Sequence, residues 1–294
     1  MRLSRLVPLP LALALAACAG LPAAQAPQPA AAATVPADDS LDATAWFQKA
    51  IERELISAEV YRAAGEHLAA ALQDPDWDAL APADRAAAGP AHGLPPAIIV
   101  DVDETVLDNS AHQVRQIRAR TEFDPATWNA WVEERSATPL PGALEFLQHA
   151  AAQGVTVYYV SNRTVAQGPA TVANLRATGF PIADDGQFLG KGTVVLGCPG
   201  TGSDKSCRRQ LVGRSHRVVM QFGDQLGDFV EPAANTLAGR RAAVTPYLGW
   251  VGERWWVLPN PVYGSWESAL TGDAETPEAR RAAKEAALDD GRGR

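Results

Sequence analysis

The 294-residue chain has few cysteines (three), few methionines (two) and few histidines (five), and only four of its 26 basic residues are lysine. So few cysteines rule out a disulfide-framework protein, and with so few histidines a metal centre built on nitrogen and sulfur ligands has little to draw on. Basic residues are outnumbered by 34 acidic ones, for a formal charge of −8. A nucleic-acid-binding face is therefore not expected. No internal repeat occurs, and no apolar run is long enough to span a bilayer. The four lysines (Lys49, Lys191, Lys205 and Lys284) stand out against an arginine-rich background, so each is a candidate for a specific role.

What is present begins with an export signal. "MRLSRLVPLPLALALAACAG" joins two arginines to a short apolar stretch and small residues ending at Cys18. "LAAC", Leu15 to Cys18, resembles the lipobox of bacterial lipoproteins. That resemblance implies removal of residues 1–17, lipidation of Cys18 and, because Ala19 follows, the outer membrane. An ordinary signal cut further on is the alternative. Cleavage would leave 24 basic against 34 acidic residues, a formal charge of −10. Residues 18–40, rich in alanine and proline, read as an extended tether.

From Asp42 to Leu72, apolar residues at three- and four-residue steps predict one amphipathic helix. Short apolar runs then alternate with helical stretches. The runs "AIIVDVD", "VTVYYVSN", "GTVVLG", "RVVMQFGD" and "RWWVLPN" read as strands, and "PGALEFLQHAAAQG", "QGPATVANLRATG", "DKSCRRQLVG" and "QLGDFVEPAANTLAG" as helices. This alternation predicts an α/β fold with a Rossmann-like parallel sheet, a globular domain over 41–270, and a charged helix and tail over 271–294. Ligands of such sheets gather at the carboxyl ends of the strands, where several of these runs turn polar.

At one such end, Asp101 and Asp103 point the same way from extended backbone. Two carboxylates this close need a shared proton or a cation. Either arrangement suits phosphoryl transfer, in which one attacks phosphorus and the other moves a proton. "DVDETVLDN" resembles the first motif of the haloacid dehalogenase superfamily, in the form of the class C acid phosphatases of the bacterial outer-membrane lipoprotein e family. The ordered pieces "SAEVYRA", "FDPATWNAWV", "PGALEFL", "YYVSNR", "DKS", "GDQLGDF" and "LPNPVYGSWE" extend the likeness from Trp46 to Trp266.

The resemblance implies the haloacid dehalogenase fold with a small accessory α-helical region, and a Mg²⁺-dependent phosphomonoesterase. Asp101 would be the nucleophile and Asp103 the general acid and base. Ser161 would bind a phosphoryl oxygen, and Lys205 would balance charge. Asp101, the Asp103 carbonyl, Asp224 and Asp228 would hold Mg²⁺. Asn162 and Arg163 of the second motif are substrate-binding candidates. The family includes 5′-nucleotidases, so Tyr263 and Trp131 are candidates to clamp a base, with simple packing as the alternative. Lys191 competes with Lys205 for the third-motif role. Gln225 and Gly227 depart from the family's asparagine and aspartate, and Gly227 removes an outer carboxylate.

The partner implied is a small phosphomonoester such as a nucleotide, with the membrane met through the lipid anchor alone. Rival readings are a ligand-binding surface lipoprotein that turns over poorly and a phosphotransferase of the same superfamily. Cys198 and Cys207 flank Lys205 in a Gly- and Pro-rich stretch, and in an oxidising compartment they either form a disulfide or remain two thiols.

Overall fold

The computed structural model describes residues 39–200 and 202–291. Cys18 and most of the expected tether lie outside these residues. Five strands form one parallel sheet: β1 (Pro96–Val100), β4 (Thr156–Thr164), β5 (Phe188–Lys191), β6 (Arg217–Gly223) and β7 (Trp255–Val257). Their order is β5-β4-β1-β6-β7. The chain runs outward from β1 through β4 to β5, returns to the other side of β1 at β6, and continues to β7. The strand order thus reverses beside β1, which is where ligand crevices open in such sheets. Two-residue strands β2 (Leu107–Asp108) and β3 (Thr138–Pro139) pair antiparallel above that point.

Each sheet face is covered by helices, which explains why β1 and β6 are almost continuously apolar. On one face α2 (Ile51–Gln73) and α6 (Ala143–Ala152) pack Tyr61, Leu68 and Leu147 against Ile98, Val100, Val157 and Phe222. On the other, α3 (Pro82–Ala88) and α8 (Ser206–Gly213) enclose Leu80 and Val212 with Ile99, Val160, Val218 and Trp255. Arg217, at the start of β6, joins the layers. Its guanidinium donates to the carbonyls of Ala71, Leu72, Asp74 and Trp77, satisfying the exposed carbonyl end of α2.

The remaining helices are α1 (Asp39–Lys49), α4 (Ser110–Ala119), α5 (Pro125–Glu134), α7 (Gly168–Ala177), α9 (Leu237–Val244), α10 (Ser265–Thr271) and α11 (Pro277–Ala287). Among the described residues, no helix is long and apolar enough to cross a membrane.

Three expectations about elements are corrected. The N-terminal helix is two helices, broken at Ala50, whose ψ of 123° is extended. Past the break Arg53 lies over the Phe47 ring and pairs with Asp108. The third sheet strand is "FLGK" at Phe188–Lys191, and "GTVVLG" is an irregular loop in which Val194 and Leu196 are 85% and 82% exposed. An apolar run alone cannot distinguish a buried strand from a loop of the same composition. Finally, "QLGDFVEPAANTLAG" contains one 3-10 turn, Leu226–Asp228, and the α-helix starts only at Leu237. The turn closes on itself because Asp228 accepts from the Gln225 N–H, while the Thr236 hydroxyl caps the later helix by accepting from Gly239 N.

Candidate active site

The carboxyl ends of β1, β4, β6 and β7 deliver Asp101, Ser161, Asp224 and Asn260 to one place. Asp101 leaves β1 with its N–H still bonded to the Phe222 carbonyl of β6, so the sheet itself fixes the first carboxylate. Helix α8 enters from beside this point. Lys205, immediately before it, is 4% exposed and donates to Asp101 Oδ1 at 2.5 Å and to Asp228 Oδ1 at 2.6 Å. Asp101, Asp224 and Asp228 each place an oxygen within 4.8 Å of the others.

Burial pushes the Asp101 carboxyl well up, against the pull of Lys205, and the charges of Asp228, Asp224 and Asp103 push it further. Asp224 is pushed up to about 7 by burial and by Asp228, with Gln225 and Asn260 opposing through hydrogen bonds. Burial works against the Lys205 charge, yet its two carboxylate partners outweigh it and raise the ammonium above its ordinary value. Three carboxylates face one ammonium, so full ionisation leaves two negative charges without a counter-charge. An all-oxygen donor set in that state fits a hard divalent cation.

The second half of the site is built differently. Asp103 Oδ1 accepts from Asn109 Nδ2 at 2.8 Å and from Arg163 Nε at 2.9 Å, with Arg163 Nη2 2.8 Å away in the same ion pair. Asp103 Oδ2 meets the Ser161 hydroxyl at 3.5 Å, and the Asp103 side chain is 16% exposed. Asn109 Oδ1 accepts from Trp131 Nε1 at 2.8 Å and from Arg163 Nη2 at 2.9 Å. Between Asp103 and this network Glu104 adopts φ +56°, a left-handed conformation unusual for its residue type. Its buried carboxyl accepts from Asn109 N at 2.8 Å and from the Tyr263 hydroxyl. Burial, and then the charge of Asp103, push the Glu104 carboxyl well up.

Asp101, Asp103, Ser161, Lys205, Asp224 and Asp228 all meet here. Lys191 is exposed at the end of β5, whereas Lys205 is buried among the carboxylates. Two substrate candidates are buried. Arg163 is 2% exposed and committed to Asp103, Asn109 and Thr171, while Trp131 is 4% exposed and committed to Asn109. Through these partners both side chains help to hold Asp103 in place, Arg163 directly and Trp131 by way of Asn109. Trp128, one turn earlier in α5, is half-buried beside the Arg163 guanidinium. Asn162 is exposed and accepts from Arg208 Nη2 at 2.8 Å. Tyr263 is half-buried on the loop after β7.

Sequence reasoning missed Asn109, Asn260, Arg208 and Arg209. Arg208 donates to the Ser161 carbonyl, and Arg209 bridges Asp84 and the Gly227 carbonyl at 2.7 Å each. With Lys205 they give the start of α8 three buried cations, each tied to a different strand end or turn. The spacing "KSCRR" was the available signal. Cys198 and Cys207 are joined by a disulfide with Cα atoms 5.6 Å apart, closing a loop that contains Lys205 and ends in the first turn of α8.

The chain is similar to several known proteins. A model of the HAD superfamily, subfamily IIIB (acid phosphatase), matches residues 27–266. Two solved structures of the class C acid phosphatase from Bacillus anthracis, one a crystal structure with tungstate bound, superpose with TM-scores of 0.72 and 0.71. They are 32% and 33% identical, over 85% of this chain and 96% of theirs. Acid phosphatase 1 of Solanum lycopersicum is 27% identical over 165 residues, covering 56% of this chain and 57% of that protein. A stem 28 kDa glycoprotein of Glycine max is 25% identical over 166 residues, 56% of this chain and 58% of that protein. The chain spans a little over half the length of these curated relatives. It belongs to the HAD superfamily, subfamily IIIB.

Proposed function

We propose that the chain is a Mg²⁺-dependent acid phosphatase that hydrolyses phosphomonoesters, with 5′-nucleotides the preferred class, through an aspartyl-phosphate intermediate. The observation that carries this reading is the pairing of a charge-deficient carboxylate cluster, Asp101, Asp224 and Asp228, with a separately held acid, Asp103. The tungstate bound by the Bacillus anthracis neighbour supports it, tungstate being a tetrahedral oxyanion shaped like phosphate.

Asp101 attacks phosphorus through the carboxylate oxygen not held by Lys205, and its bond to phosphorus forms as the ester P–O bond breaks. Asp103 delivers a proton from Oδ2 to the leaving oxygen, since Oδ1 is already occupied by Asn109 and Arg163. The same oxygen then takes a proton from the water that cleaves the aspartyl phosphate. Lys205 offsets charge on the nucleophile and the phosphoryl oxygens, and Ser161 offers its hydroxyl beside Asp103. Mg²⁺ held by Asp101, Asp224, Asp228 and the Asp103 carbonyl would supply the remaining positive charge. Tyr263 and Trp128, both half-buried, offer aromatic surface to a nucleobase.

Export and a lipid anchor at Cys18 belong to the same proposal, supported by the N-terminal sequence alone. Release of phosphate from para-nitrophenyl phosphate, before and after chelation and again with Mg²⁺ restored, tests the reaction. Full turnover after exhaustive chelation would reject the cation. A panel of nucleotides against sugar phosphates tests the leaving group, and the mass of the mature N-terminus tests the anchor.

A further inference from the structure

Neighbouring strands β6 and β7 lead to two side chains that meet on one oxygen. Asp224 Oδ2 accepts from Gln225 Nε2 and from Asn260 Nδ2, each at 2.8 Å. The carbonyl end of each amide faces the loop that follows β7. Asn260 Oδ1 accepts from Val262 N at 2.9 Å and from Tyr263 N at 3.4 Å. Gln225 Oε1 accepts from Ser265 N at 3.1 Å, and Gln225 Nε2 also reaches the Tyr263 carbonyl at 3.3 Å. One carboxylate oxygen therefore orients two amides, and those amides hold three backbone N–H groups of residues 260–265.

The far side of this loop reaches the other half of the site, where the Tyr263 hydroxyl donates to Glu104. Gly264, at φ +150°, sits against the Gln225 amide so closely that a Cβ there would fall 2.3 to 2.5 Å from its Oε1, Nε2 and Cδ atoms. Glycine at this position is what leaves room for glutamine at 225. An asparagine there, one methylene shorter, would not span the same gap.

We propose that Gln225 and Asn260 are positioning residues that couple the acidic cluster to loop 260–265, so that a divalent cation bound at Asp101, Asp224 and Asp228 orders the segment carrying Tyr263. The inference rests on the cation reading above. A cation fixes the plane of the Asp224 carboxylate, the fixed Oδ2 holds both amides in one orientation, and the loop N–H groups then meet acceptors that no longer turn. By linkage, a ligand that orders the loop strengthens cation binding by the same factor.

The test is hydrogen exchange of the whole chain with and without Mg²⁺, read on peptides covering 259–268, alongside the Mg²⁺-induced rise in the thermal midpoint. In the wild type Mg²⁺ slows exchange of these amides about tenfold. Gln225→Ala and Gly264→Ala keep the rise in midpoint and lose most of the slowing. The second variant displaces the Gln225 amide without touching a cation ligand, so the test survives if one of them folds poorly. Unchanged loop exchange with the midpoint rise intact, or variants that slow as much as wild type, would overturn this inference alone. Loss of both responses in the wild type would overturn it together with the cation reading.

Discussion

The two halves of the site solve different electrostatic problems with different materials. Around Asp101, Asp224 and Asp228 the chain supplies three carboxylates and a single ammonium, and burial leaves two of the carboxyls raised above their ordinary values. Around Asp103 it supplies an amide, a guanidinium and an indole behind the amide, so one carboxylate oxygen is fully occupied by donors. In the first half the carboxylates outnumber the ammonium. The second is complete as folded. A group that must bind a metal needs open oxygens, whereas a group that must hand over one proton needs only one.

That difference can be broken by mutation, and the largest effect belongs to the nucleophile. Asp101→Asn should reduce turnover by about 10³-fold or more while the fold persists, because an amide of nearly equal volume cannot attack phosphorus. Lys205→Met should follow, and its signature is conditional. Without cation it leaves buried Asp101 and Asp228 facing each other, a loss of about 3 kcal/mol or more, and Mg²⁺ should recover part of it. Thermal midpoints with and without Mg²⁺ read this directly; equal losses in both conditions would mean that Lys205 and the cation act independently.

A smaller change sharpens the contrast from the other side. Trp131→Phe removes the indole donor to Asn109, so turnover should fall by a few-fold, matching one lost hydrogen bond of about 1 kcal/mol. The Mg²⁺ concentration for half-maximal activity should not move. If it does, the halves are not separate. Smallest in its effect on chemistry is reduction of Cys198–Cys207, which relaxes the loop containing Lys205 and should lower stability by about 2 to 3 kcal/mol with little change in turnover at low temperature. Denaturant midpoints with and without a dithiol reductant measure it.

The sequence made the charge-dense half readable because its carboxylates sit where apolar runs stop, at Asp101 and Asp224, and strand ends announce themselves by that change. The hydrogen-bonded half was readable only in Asp103 and Ser161. Asn109 meets Trp131 across 22 positions and Arg163 across 54, and no local pattern reports such contacts. For the same reason the burial of Arg163 and Trp131 is not written in their motifs, because burial is a property of the fold. In the sheet, β5 escaped notice because "FLGK" is four residues long and the more apolar "GTVVLG" lies just after it. The break at Ala50 has neither proline nor glycine to mark it.

The central claim is that Asp101 carries the phosphoryl group while Asp103 moves the proton, and it is tested most directly on Asp103→Asn. With para-nitrophenyl phosphate the leaving nitrophenolate needs no proton, so this variant should still form the intermediate and then fail to hydrolyse it. Rapid acid quench in the presence of Mg²⁺, followed by peptide mapping by mass, should find one phosphoryl group on the peptide containing Asp101 and none in a parallel Asp101→Asn sample. An unmodified Asp101 peptide from a variant that releases nitrophenolate would contradict the account.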